Sequence, residues 1–107
     1  MAKAEYWYHA TDKKVLGSIV ISGIEPGIDG VVYLADSCEN ALKFVVVRGI
    51  MEIAVIKIKR SSLDKRKIIE TFDHSYEFFK CKAYGYTEVI PSNLIHGIEI
   101  YNIPLYD

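Results

Sequence analysis

The pattern of apolar and polar positions divides this chain near its middle. Residues 5–10, Glu-Tyr-Trp-Tyr-His-Ala, form an aromatic run bounded by polar residues and predict a strand. Thr11 or Asp12 can then cap a helix. From Lys13 to Ser22 the apolar residues Val15, Leu16, Ile19 and Val20 fall on one helical face, and Gly23 is placed to end it. Glu25-Pro26-Gly27 and Asp29-Gly30 mark loops, and Val31 to Ala35 is a short apolar strand. Asp36 or Ser37 can cap a second helix running to about Arg48, stopped by Gly49.

Beyond Gly49 the period shortens from that of a helix to that of strands. Met51 to Lys59 is apolar on both faces at its centre and alternates with Lys57 and Lys59 at its end, which predicts an inner strand. Ser61-Ser62-Leu63-Asp64 reads as a turn or loop, Lys67 to Phe72 as a strand, and Tyr76 to Tyr84 as a strand of alternating aromatics and charges. Gly85 permits a bend. Thr87 to Ile90 and Ile95 to Ile103 complete the strands, with a turn or a single helical turn at Pro91-Ser92-Asn93. Two helices in the N-terminal half and strands throughout predict an α+β fold, with two antiparallel-rich sheets packed around a cleft.

Length restricts this to one domain, residues 1–107, because the chain can bury one core and has no material for a second. No stretch of about 18 uncharged apolar residues occurs and the start lacks a long apolar segment, so neither membrane insertion nor secretion is expected. Cys38 and Cys81 have no metal-binding spacing and are a thin basis for a disulfide framework, which suits a reducing, cytoplasmic setting. The net charge of −1 argues against a surface built wholly for nucleic acid. The charge is unevenly spread, however: Lys57, Lys59, Arg60, Lys65, Arg66 and Lys67 lie close together, relieved only by Asp64. That cluster is either a solvated strand end or a surface that neutralises phosphates.

Three residues stand out as candidate chemistry. His9 ends the aromatic strand, on the same face as Trp7, where a histidine is ordinarily a hydrogen-bonded core residue. Tyr33 lies just before a capped helix. Glu88 interrupts the apolar run Tyr-Thr-Glu-Val-Ile-Pro, where a solvent-facing strand position is the ordinary explanation. His74 and His96 read as surface residues. Cys38, at the start of the second helix, lacks the neighbouring base of a nucleophilic site and reads as structural.

Taken in order, the segments form a set: a strand with His-Ala-Thr, a helix ending in Gly-Ile-Glu-Pro, Gly-Val-Val-Tyr-Leu-Ala-Asp before a helix, then Glu-Val-Ile-Pro-Ser-Asn-Leu-Ile. This order resembles the ADP-ribosyltransferase superfamily over most of the chain. The middle segment is the most specific and is similar to the branch of the poly-ADP-ribose polymerases and diphtheria toxin, marked by a histidine, a tyrosine and a glutamate on separate strands. The first and last segments also resemble toxins that ADP-ribosylate thymidine in DNA. RNA 2′-phosphotransferases share the early histidine strand and the fold.

The resemblance implies NAD as co-substrate and Glu88, His9 and Tyr33 as catalytic residues. His9 would hydrogen-bond a ribose hydroxyl, the Ala10 backbone beside Thr11 would hold the nicotinamide amide, and Tyr33 would stack on the nicotinamide ring. Glu88 would bind the ribose 2′-hydroxyl and stabilise the cationic sugar formed as nicotinamide leaves. The cofactor wall would also include Ala41 and Phe44, where the polymerase branch has a serine and a second tyrosine; Ala10 stands where a glycine is usual. The expected activity is transfer of one ADP-ribose to a macromolecule, with DNA or RNA favoured over protein by the basic cluster. An RNA 2′-phosphotransferase and a non-catalytic binding module of the same fold remain the alternatives.

Overall fold

The strand with apolar residues on both faces is the one around which the chain is organised. In a computed structural model, residues 5–46, 48–71 and 83–103 are described, with Thr71 described by its backbone alone. The expected strand over 76–84 falls mostly outside them, as do Phe72, His74 and Cys81. The described residues form a small α+β domain of two antiparallel three-stranded sheets and two helices.

Glu52–Lys59 (β3) is the centre of the first sheet, between Tyr6–Asp12 (β1) and Ile95–Asn102 (β6). Because strand residues alternate between faces, β3 feeds two cores. Ile56 and Ile58 pack with Trp7, Val32, Leu34, Tyr86 and Ile90. Ile53 and Val55 pack with Ala35, Ala41, Phe44 and Val45. Ile53, Ile56 and Ile58 are fully buried, each contributing about 1.5–3 kcal/mol of burial free energy.

The helices are shorter than the periodicity predicts. Asp12 does act as a cap, accepting from the Lys14 amide at 3.1 Å, but Lys13–Val15 is a 3-10 turn and the α-helix proper is Leu16–Ser22 (α1). In so short a helix only Leu16 and Ile19 reach the core, leaving Val20 exposed. Gly23 ends it at φ 81°, and a Cβ there would lie 2.4 Å from the Ile90 carbonyl oxygen. Glycine is therefore required both for conformation and for the Ile24–Ile90 bridge that follows. Ser37 caps Cys38–Val46 (α2) by accepting from the Asn40 amide at 3.1 Å. Its buried face, Ala41, Phe44 and Val45, lies on the first sheet.

The second sheet has Ala83–Tyr86 (β5) between Val32–Leu34 (β2) and Ile68–Thr71 (β4). Two expectations change here. Gly85 lies within β5, where a Cβ would come 3.0 Å from Val31, so it allows close packing of a straight strand and makes no bend. Thr87 to Val89 form no strand, and Ile90 makes only an isolated bridge. The sheets join at a corner where Tyr8 and Ala35 exchange both backbone bonds, at 3.0 and 2.8 Å.

Candidate functional site

The corner between the sheets holds the first two candidate residues. His9 follows Tyr8 on β1 and its Nδ1 lies 2.7 Å from the Tyr33 carbonyl oxygen. A carbonyl can only accept, so Nδ1 carries the proton and Nε2 of a neutral ring is left as an acceptor. Burial lowers the His9 pKa below its ordinary value of 6.5; the Tyr33 carbonyl opposes this and the Arg48 charge adds to it. The ring is thus neutral and of fixed tautomer near pH 7.

The edge of β1 beside Tyr33 is also open. In an antiparallel pair, successive residues direct their peptide groups alternately toward and away from the partner. Tyr8 directs both of its groups away from β3 and onto Ala35. Two residues on, Ala10 points the same way, and its N–H and C=O have no backbone partner among the described residues. A free donor and acceptor on one peptide edge are suited to a carboxamide, which offers the complementary pair.

The Tyr33 ring packs against the core under α2, and its hydroxyl donates to Asp29. That bond is the largest cause holding the Asp29 carboxyl below its usual range. His9 and Tyr33 therefore meet ring to backbone. Ala41 and Phe44 are buried in the cluster against which Tyr33 packs, and Thr11 is half-buried on β1 opposite Ala54. In sequence Asp29-Gly30 reads only as turn chemistry, because the contact of Asp29 with Tyr33 depends on how the turn folds back.

Glu88 is placed differently from the expectation of an apolar strand. It stands exposed on a bend after β5, with a carboxylate oxygen 2.6 Å from Lys67 Nζ. This pairing is the largest cause raising the Lys67 pKa. Tyr33 is opposite Gly85, so Glu88 is three residues further along the chain, a span of at most about 10 Å. Glu88 thus follows β5 at the Val32 end of its pairing with β2, the end away from Ala35, and is engaged by a lysine.

The basic cluster is divided among several local partners and two faces of β3. Arg66 forks onto Asp64 at 3.0 and 3.2 Å, and Lys67 is held by Glu88. The Arg60 guanidinium stacks 3.7 Å from the Trp7 ring centre and donates to the Tyr6 carbonyl. Lys57 and Lys59 alternate onto the opposite face of β3, while Lys65 is exposed. Among the described residues no group of three or more His, Cys, Asp or Glu is placed to hold a metal ion, and no helix is long and apolar enough to cross a membrane.

Compared with known proteins, the chain matches no protein-family model and no curated sequence.

Proposed function

We propose that the protein is an NAD-dependent mono-ADP-ribosyltransferase built on a minimal fold of that superfamily, with the Tyr8–Ala35 corner as its nicotinamide-riboside site and a nucleic acid as its acceptor. The observation that carries this reading is the open peptide edge of Ala10, set beside a neutral histidine whose Nε2 is an acceptor. The Ala10 N–H and C=O suit the nicotinamide carboxamide, and His9 Nε2 accepts from a ribose hydroxyl. Tyr33 supplies the aromatic surface, packed against the cluster that contains Ala41 and Phe44.

In the reaction, the bond between nicotinamide nitrogen and ribose C1′ breaks, the electron pair leaves with nicotinamide, and the acceptor's nucleophile attacks C1′. Positive charge develops on the sugar in between. Glu88 is the carboxylate assigned to that charge, because a fixed anion stabilises the transition state more than the ground state. For this it must exchange Lys67 for the ribose 2′-hydroxyl. The exchange is inexpensive, since both partners of the pair are substantially exposed and such pairs contribute little.

The Lys67–Glu88 pair favours a second reading, a non-catalytic module whose carboxylate is permanently occupied. One experiment separates the two. The purified chain is incubated with NAD labelled in its adenosine portion, together with separate pools of DNA, RNA and protein. Label in nucleic acid with stoichiometric nicotinamide is expected. Neither label transfer nor nicotinamide release would leave the binding module.

A further inference from the structure

A second site lies on the far side of the first sheet, away from His9. Tyr6 and Tyr8 share one face of β1, and the register sets them opposite Lys59 and Lys57. On β6 the pairing slips: Lys57 is opposite Gly97 and Ile58 opposite Ile95, so His96 is the extra residue of a β-bulge. The bulge carries His96 to Tyr6, with ring centres 5.0 Å apart, and Lys57 Nζ stands 4.1 Å over the same Tyr6 ring. Beside them is a concavity of about 310 Å³ lined by Tyr8, Cys38, Lys57, His96, Gly97 and Glu99.

Gly97 leaves the concavity open where it faces Lys57, for a Cβ built there meets nothing within 4 Å. Glu99 accepts from the Tyr101 hydroxyl, to which the Cys38 thiol donates at 3.2 Å. Its other carboxylate oxygen has no partner among the described residues. An aromatic wall, Lys57 and a free carboxylate acceptor thus converge on one opening, and Lys59 stands two residues further along the same strand.

We propose that this face binds single-stranded nucleic acid, one base entering the concavity against Tyr8 and over Gly97 while flanking phosphates lie on Lys57 and Lys59. An aromatic side chain stacks on any base, and lysines neutralise the backbone. Glu99 accepts from an exocyclic amine, which gives a preference for bases such as cytosine. A duplex keeps its bases stacked and offers none to the opening. An acidic peptide would satisfy the lysines but leave Glu99 facing like charge. The proposal rests on the preceding reading in taking the acceptor to be a nucleic acid, and it moves the acceptor surface from Lys65–Lys67 to the tyrosine-lined sheet.

The test is fluorescence anisotropy with a short labelled oligocytidine DNA over a salt series. Tyr8→Ala should weaken binding about tenfold. Lys57→Ser with Lys59→Ser should reduce the salt slope by about 1.4. Gly97→Leu, which fills the opening without removing a contact, should weaken binding with the thermal transition preserved. Wild-type affinity in both Gly97→Leu and the lysine pair would overturn the proposal. Equal affinity for a duplex would overturn it, and polyglutamate displacing the oligonucleotide at matched charge would replace it with an acidic protein partner. Tight oligonucleotide binding by a chain that never releases nicotinamide would keep this inference and remove the transferase reading. Nicotinamide release without oligonucleotide binding would do the reverse.

Discussion

The His9 corner and the Glu88 bend are two parts of one proposed site, held by different means. At the corner, hydrogen bonds to the backbone do the positioning: Tyr8 and Ala35 exchange two, and the His9 ring donates one to the Tyr33 carbonyl. At the bend, the candidate carboxylate is fixed by one partly exposed lysine reaching from the turn before β4. Backbone pairing is built into the fold, whereas an exposed ion pair yields readily to a competing partner or to salt. Under the proposed function, the corner is preformed for recognition and the carboxylate is released for chemistry.

The largest effect should come from the bend. Glu88→Gln keeps shape and removes charge, and nicotinamide release should fall by about 10² to 10³ with NAD affinity changed far less. Near-normal turnover would remove Glu88 from the mechanism and leave the two regions unconnected. At the corner, Tyr33→Ala should weaken NAD by about 1 to 2 kcal/mol through lost stacking and burial, while Tyr33→Phe should bind as wild type. Identical titration curves for wild type and the alanine variant would place nicotinamide elsewhere.

A smaller effect separates the regions by pH. The His9 pKa is depressed in the folded chain, so the unfolded chain binds more protons below the ordinary value of 6.5. The stability that neutral His9 contributes is complete above that value and is lost as pH falls from it toward the folded pKa. Urea unfolding at pH 7.5 and 5.5 should therefore show a loss for wild type that shrinks in His9→Asn, whose amide N–H can still donate to Tyr33. An unchanged difference would mean that His9 is not the depressed group. The smallest effect is expected of Lys67→Ala, which should leave the unfolding midpoint nearly unchanged and raise nicotinamide release a few-fold by freeing Glu88. A large loss of stability would show that the pair is structural.

Legibility in the sequence followed the range of the interactions involved. β3 could be read directly, since apolar residues on both faces imply an inner strand. The Ser37 cap and the Gly23 stop are local and were also readable. Gly85 reads locally as a bend because the reason for its glycine is Val31, more than fifty residues away in sequence. Glu88 looked like a strand residue for the same reason, its partner Lys67 belonging to a different turn. The basic cluster looked continuous along the chain, yet alternation on β3 and the Asp64 fork divide it in space. His96 and Gly97 are brought together by a β-bulge that no local pattern marks.

The most direct measurement of the central claim is a long-range proton–nitrogen NMR spectrum of histidine-labelled protein, with and without NAD, the His9 signals being assigned from their loss in His9→Asn. At pH 7 the His9 ring should be neutral and protonated at Nδ1, and NAD should shift its Nε2 resonance as a ribose hydroxyl donates to it. A doubly protonated ring, or an Nε2 signal indifferent to saturating NAD, would contradict the assignment of the corner as the cofactor site.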